Sequence, residues 1–530
     1  MDTLTPIIKD KTVVATCIYG SRIAGYAKEN SDYDVIVVLE NYKNIVRYKY
    51  LKGNPEVSAL LVDKKALFDD AIKARLGEFV VGRFLNIFKS ISGDEIFNEI
   101  EAIYKKRIIL EIIKEIELSY GELSTIIKIP QEYFLFEKLK KRAALYPPAR
   151  YSYVQTYMGQ KWNENLKASL SGFREPFSQL EKEGIISINE NIIKINSPIV
   201  KNRQFNRITT KMTNTTRGIA QYAVHGFAGR VGLNVIVKEM LSKINRNKSR
   251  YEVPEFIRHP KTIWELDDAL LIIDCDSWLK EISQYLKMDD SCKYKKKRLG
   301  EFYSTTQKIE LTDSNKKYTI AAKKFKDPKN LKWAFLNIWA SAKKFENTPD
   351  IRMCNEYKYL KMFKEMNFLT PKVIGLFLSD LILVMNYIEG VDLGTISSEF
   401  LRGKSQDLEP IRLYGDNLGR LHSKGYTLGD TKPSNAIYNN SKLYFTDLEQ
   451  ASKGGDYSWD IGEFIYYSLK MCLQVDNARI LVDTFKKAYL QKGYSEALTN
   501  ATDRKYVRPF APIVIPKVVK VVRESFLRDN

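Results

Sequence analysis

Two short segments near the C-terminal end constrain this chain most. Leu428-Gly429-Asp430-Thr431-Lys432-Pro433-Ser434-Asn435 is followed, after a strand-like stretch, by Thr446-Asp447-Leu448-Glu449. The first segment puts an acid, a cation and an amide on one tight turn. The second adds an acid at the end of a strand. This set suits phosphoryl transfer from ATP: Asp430 would orient a hydroxyl, Lys432 would offset charge on the moving group, and Asn435 and Asp447 would hold Mg2+ against the phosphates. The rest of the fold has to be arranged around that turn.

A chain of 530 residues is too long for a single core, and about two to four domains are expected. The formal charge of +20 favours contact with a polyanion or an acidic protein surface, or else reflects a lysine-rich solvated surface. Cys17, Cys275, Cys292, Cys354 and Cys472 are widely spaced and suggest neither a zinc site nor a disulfide framework. Three histidines argue against His-based metal chemistry and a Ser-His-Asp triad. No apolar run is long enough to span a bilayer and no secretory signal is visible, so a cytoplasmic protein without membrane contact is expected.

Near the N-terminus, Thr12 to Tyr19 reads as a buried strand running into Gly20-Ser21. A helical stretch, then Asn30-Ser31-Asp32-Tyr33-Asp34, then a strand from Val35 to Leu39 follow. Alternation places Asp32 and Asp34 on one face, where two carboxylates repel unless a cation lies between them. Gly20 and Ser21 can cradle a triphosphate, because glycine permits close backbone approach. Gly20-Ser21 followed by Asp32-x-Asp34 resembles the DNA polymerase β-type nucleotidyltransferase superfamily, in particular its minimal members. The resemblance covers roughly the first ninety residues and implies ATP or another NTP with Mg2+ or Mn2+, held by Asp32, Asp34 and a third carboxylate. The strand Val57 to Val62 should supply that carboxylate, with Asp63 the first choice and Glu56 the second. A nucleotidyltransferase fold without turnover is the alternative.

In the middle, Ile96 to Leu118 and Glu132 to Leu145 read as helices, with Asp94 as the first helix's N-cap and Pro147-Pro148 ending the second. A helix over Pro176 to Glu183, capped by Gly184, precedes a hairpin of Ile185–Ile188 and Ile192–Ile195, the outline of a winged helix. Residues 201–250 are strongly basic, with Phe205, Tyr222 and Phe227 interleaved. They form a candidate RNA- or tRNA-facing surface, or equally a basic helix packed beside acidic neighbours. The run Lys293 to Arg298 reads as a linker or as the lead-in to the last domain.

Tyr318 to Phe325 suits a strand with an Ala-x-Lys element, in which Lys323 grips ATP phosphates and pairs with a helix glutamate, Glu356. Leu381 to Gly390 suits the strand and hinge that hold adenine, with Met385 and Tyr387 at the nucleotide. In this order with Asp430, Asn435 and Asp447, residues 295–530 resemble the atypical protein kinases, namely the RIO group and the small kinase of the KEOPS tRNA-modification complex. Asp460 follows Asp447 closely, leaving no room for a long activation loop. It is expected to anchor the catalytic loop from below. Two departures stand out: Leu428-Gly429-Asp430 lacks the family's histidine, and Gly300 is the only glycine between Leu299 and Tyr318, so that Ser304, Thr305 and Thr306 would contact phosphates instead.

The expected architecture is multidomain α/β and α+β. A polymerase β-like nucleotidyltransferase domain spans 1–95, a helical and winged-helix-like domain 96–200, a basic helical connector 201–292, and a bilobal protein-kinase-like domain 293–530. The expected activity is ATP- and Mg-dependent Ser/Thr phosphorylation of a protein substrate, with a nucleotidyltransferase domain attached and a link to RNA or tRNA. Two alternatives stay open. One is a small-molecule phosphotransferase of aminoglycoside or choline kinase type, which Asp447-Leu448-Glu449 also fits. The other is an RNA-binding scaffold whose inactive sites sense nucleotides.

Overall fold

A computed structural model describes residues 12–145, 148–196, 255–289, 291–299, 306–326 and 348–528, together with Ala220, Val224, Ala228 and Glu346. The chain is mixed α/β and forms two compact units, one from residues 1–118 and 124–265, the other from 119–123 and 266–530. Among the described residues no helix is long and apolar enough to cross a membrane. The basic segment 201–250 lies almost wholly outside the described residues, and so do Gly300, Ser304 and Thr305.

The first unit is built on a five-stranded sheet of order β3-β4-β2-β1-β5, with β1 at Val13–Tyr19, β2 at Tyr33–Leu39, β3 at Val46–Leu51, β4 at Val57–Asp63 and β5 at Phe88–Ser92. Strands β2 and β4 run parallel and the other pairs antiparallel. Near-continuous Val, Ile and Leu in β2 and β4 fit burial on both faces. One face packs Ile18, Val35, Val37, Val57 and Ala59, while Cys17, Ile36, Val38 and Leu60 are buried on the other. The predicted helical stretch after Gly20 is a single turn, α1 (Ser21–Ala24), closed by Gly25 in the left-handed region.

The long helix α2 (Asp94–Tyr120) includes Asp94 in its first turn, so that this acid complements the helix dipole rather than capping from outside. Helix α3 (Glu132–Leu145) ends where Pro147 and Pro148 were expected to stop it, and Pro148 opens the next helix. Helix α4 (Arg174–Lys182) leads through Gly184 into strands Ile186–Asn189 and Ile192–Ile195, which join Ile129–Pro130 in a three-stranded sheet.

A buried charge cluster knits this unit together. The Glu78 carboxylate takes Lys138 at 2.7 Å, Arg107 at 2.9 Å and Arg142 at 3.0 Å. Burial pushes Glu78 up, but the three cations outweigh it and hold its carboxyl well below the usual carboxylate range.

The second unit carries a six-stranded sheet of order β6-β7-β8-β10-β9-β11. Its strands are β6 (Lys293–Arg298), β7 (Thr306–Thr312), β8 (Lys317–Lys324), β9 (Val373–Phe377), β10 (Ile382–Asn386) and, parallel to β9, β11 (Leu270–Ile272). The lysine run at 293–298, read from sequence as a linker or as the lead-in to the last domain, is therefore the edge strand with which this sheet begins on that side. Every residue of it is exposed, as suits an edge where charge discourages pairing with another chain. Leu270–Ile272 and the helix Trp278–Tyr285, read from sequence as part of a connector, also belong to this unit. Leu279 and Ile282 of that helix pack on Ile309, Leu311, Ile320 and Ala322. Alternation sends Lys323 to the opposite face, toward helix α5 (Pro349–Glu365), whereas Lys324 is exposed.

Beyond the sheet lie helices α6 (Glu409–Ser423), α7 (Tyr457–Ser468) and α8 (Val475–Tyr489). Tyr414 stacks on Phe464 at 3.9 Å, and Phe464 lies 5.3 Å from Phe485, so the three helices share an aromatic core. Gly419 allows α6 to close on α8, since a Cβ there would sit 2.5 Å from the Tyr489 carbonyl oxygen.

Candidate functional site

The turn that carries Asp430 is shaped from beneath. Asp460 of α7 is fully buried; its Oδ2 accepts from the Leu428 amide at 2.7 Å and its Oδ1 from the Gly429 amide at 2.9 Å. Glu463, nearly one turn on, accepts from the Thr431 amide at 2.7 Å, and Thr431 Oγ1 donates to the Asp460 carbonyl at 2.8 Å. Buried amides that the turn would orphan are thus met by two carboxylates on one helix. Asp460 anchors the loop as the sequence led us to expect. A third partner was not foreseen. His422, at the end of α6, brings Nε2 to 3.3 Å from Asp460 Oδ2 and Nδ1 to 2.8 Å from the Tyr489 hydroxyl. A histidine from the preceding helix thus joins the buried support beneath the turn.

Above this support, Lys432 Nζ donates to both oxygens of Asp430, at 2.8 and 2.9 Å. Burial disfavours the ammonium, but Asp430 more than offsets this and the lysine is held above its ordinary range. Asn435 Nδ2 donates to the Asp430 carbonyl at 3.1 Å, and the Thr446 amide and hydroxyl both donate to the Asn435 carbonyl at 2.9 Å. These bonds bring the end of strand Lys442–Phe445 against the turn. A small pocket there is lined by Asp430, Lys432, Asn435, Thr446 and Leu448. Asp447 follows directly, in the left-handed region with φ of 60°.

From the sheet side, Lys323 is almost wholly buried and meets three carboxylates: Asp447 at 2.6 Å, Glu449 at 3.0 Å and Glu356 at 3.2 Å. Burial acts against the Lys323 charge, yet the three acids raise its pKa above the ordinary lysine value. Burial alone would raise Asp447, but Lys323 holds its carboxyl below the usual range. Glu356 is pushed up to about 7 by burial, with Lys323 opposing and the charges of Asp447 and Glu449 adding to the rise. Glu356 Oε1 finds no hydrogen-bond partner among the described residues. Met385 lies opposite Ala321 and Asn386 opposite Ile320 in the β8–β10 register; the Tyr387 amide, one residue on, donates to the Thr319 carbonyl at 3.3 Å. Thr306 opens β7 directly opposite Lys323.

In the first unit, Tyr19, Asp34, Ser58 and Tyr50 lie side by side across the sheet. Gly20 is pressed against Asp34: a Cβ at position 20 would meet Asp34 Oδ2 at 2.4 Å, and φ is 83°. Ser21 opens α1 next to it. Asp32 and Asp34 sit at the start of β2, the end toward Gly20. Asp63 does not join them. It pairs with Leu39 five positions beyond Ser58, a separation of about 16 Å at 3.3 Å per residue. Its carboxylate is also engaged, Oδ1 capping the following helix at Ala66 N and Oδ2 accepting from Tyr42 N. Glu56 lies at the right end instead, its carbonyl bonded to the Tyr33 amide at 2.8 Å. Alternation from Ser58 puts it on the Asp34 face. Ser58, buried beside Asp34, keeps a hydroxyl without a hydrogen-bond partner among the described residues.

Beyond His422, the residues least visible in sequence are Arg352 and Glu449. Arg352 Nε and Nη2 donate to Glu449 Oε1 at 2.9 and 2.6 Å. The only sequence signal was the spacing of Asp447-Leu448-Glu449.

No protein-family profile matches the chain. It is 32% identical over 97 residues to the KEOPS complex subunit Bud32 of Pyrococcus abyssi, an alignment covering 18% of this chain and 43% of that protein. The chain thus spans less than half the length of the curated relative it matches.

Proposed function

We propose that the second unit is an ATP- and Mg-dependent phosphotransferase of the atypical protein kinase type, acting on Ser or Thr hydroxyls of a protein. The observation that carries this reading is the convergence on one cleft of Lys323, Glu356 and Asp447 with the Asp430–Asn435 turn. The likeness to a KEOPS subunit supports it, since the motif order of residues 295–530 resembles the kinase of that complex. Asp430 would orient an acceptor hydroxyl and receive its proton, with Lys432 Nζ bonded to both of its carboxylate oxygens. Lys323 would steady the phosphates. Hard oxygen donors suit Mg2+, and Asn435 with Asp447 would hold it. When bound, the ion neutralises phosphate charge.

The first unit is proposed as a metal–nucleotide site of nucleotidyltransferase type, with Asp32, Asp34 and Glu56 as its carboxylates and Gly20-Ser21 beneath the triphosphate. The small-molecule phosphotransferase reading is less favoured, because Glu449, its second metal acid, is enclosed and clamped by Arg352, whereas Asp447 is partly exposed.

Incubation with γ- and α-labelled ATP in parallel tests both sites. Loss of γ-label transfer in Asp430→Ala alone, and of α-label transfer in Asp32→Ala alone, is the expected result. ATP binding with no transfer of either label would favour a nucleotide-sensing scaffold.

A further inference from the structure

Three acidic oxygens, from Glu356, Asp447 and Glu449, lie within 4.8 Å of one another, a spacing a metal could use. The ammonium of Lys323 already occupies that cage. It donates to Glu356 Oε2 at 3.2 Å and Asp447 Oδ1 at 2.6 Å, and forms an ion pair with Glu449 Oε2 at 3.0 Å. The three acids are not equivalent. The Asp447 side chain is 36% exposed, Glu449 4% and Glu356 0%. Asp447 is the partner that solvent and a cation can reach, so it can turn from Lys323 while the other two stay. One N–H of Lys323 is then released toward the cleft without the lysine losing its position.

Glu449 is itself gripped by more than Lys323. Arg352 clamps its Oε1 with two donors at 2.9 and 2.6 Å, and Asn355 Nδ2 lies 3.4 Å from its carbonyl. The next residue repeats the attachment. Gln450 Oε1 accepts from the Glu346 amide and Gln450 Nε2 donates to the Glu346 carbonyl, both at 3.0 Å. The segment after Asp447 is therefore fastened to α5 and to the chain that leads into it.

We propose that Glu449 is a positioning residue. By bridging Arg352 of α5 and Lys323 of β8, it locks α5 where Glu356 meets Lys323, so that the lysine is set for nucleotide without modification of the chain. This rests on the phosphotransferase reading above. Nine residues separate Asp447 from Tyr457, where α7 begins, and the carboxylate that joins α5 to β8 lies within that span. A buried carboxylate shared by two cations is costly to break from either side, because removing one partner strands a charge.

The test compares the full chain with Glu449→Gln, Arg352→Gln, the double variant and Arg352→Lys, reading KM for MgATP and kcat for phosphate release from γ-labelled ATP. Each Gln variant should raise KM about tenfold with a smaller change in kcat, the double variant should be no worse than the worse single one, and Arg352→Lys should recover part of the loss. Wild-type KM in an active Glu449→Gln variant, additive losses in the double variant, or a lowered melting temperature with KM unchanged would each overturn the proposal. If the unmodified wild-type chain neither binds MgATP nor releases phosphate, the phosphotransferase reading fails instead.

Discussion

Replacing Asp460 by Asn tests whether the turn carrying Asp430 is held from below. The carboxylate is fully buried and each oxygen serves one backbone amide, Leu428 at 2.7 Å and Gly429 at 2.9 Å. Asparagine keeps one acceptor and turns the other position into a donor facing an N–H. One amide loses a charge-assisted bond and stays buried without a partner, at a cost of about 2 kcal/mol. That energy corresponds to an opening equilibrium shifted roughly 30-fold at 25 °C. Hydrogen exchange measured on the peptide spanning Leu428 to Lys432 reads it directly. Exchange of Leu428 or Gly429 should quicken by about that factor while α8 keeps its protection, and γ-label transfer should fall with it. Unchanged protection at both amides would refute the reasoning. So would a uniform loss across the helices, which would make Asp460 a general support and not an anchor of this turn.

Two further outcomes follow from buried and strained positions. Glu78→Gln leaves Lys138, Arg107 and Arg142 facing each other and should destabilise the first unit by about 3–5 kcal/mol at neutral pH. Burial opposes the Glu78 charge but its cations prevail, so its folded pKa lies below the ordinary 4.5. The stability it contributes is complete above that pH and is lost as pH falls, and the gap between wild type and variant in thermal melts should close on acidification; a gap constant from pH 7 to pH 3 would count against it. Gly20→Ala should add about 1–3 kcal/mol of strain, since φ of 83° with ψ of −159° lies in a glycine-only region, and push Asp34 aside, weakening Mn2+ binding read by paramagnetic resonance on the order of tenfold; undiminished binding would show that Asp34 is not a ligand.

What the chain alone made legible was chemistry confined to short spans. Asp430, Lys432 and Asn435 lie on one turn, so residue type and spacing suffice to group them. Lys323 and Lys324 could be told apart because neighbours on a strand point to opposite faces. Helix ends at Leu145 and near Gly184 followed from proline and glycine, whose backbone limits are local. The lysine run at 293–298 left linker and lead-in to the last domain open, because charge alone does not separate them; it is an edge strand of the second unit, exposed along its whole length.

Tertiary structure decided whatever depended on strand register and on helices meeting loops. Asp63 and Glu56 lie at opposite ends of one strand, and only the parallel pairing of Tyr33 with Val57 puts Glu56 at the Asp34 end. His422 reaches Asp460 because α6 passes under the turn, and Arg352 reaches Glu449 because α5 packs against the sheet. A register is chosen by the summed burial of two whole faces. No residue read singly, or with its chain neighbours, carries that sum.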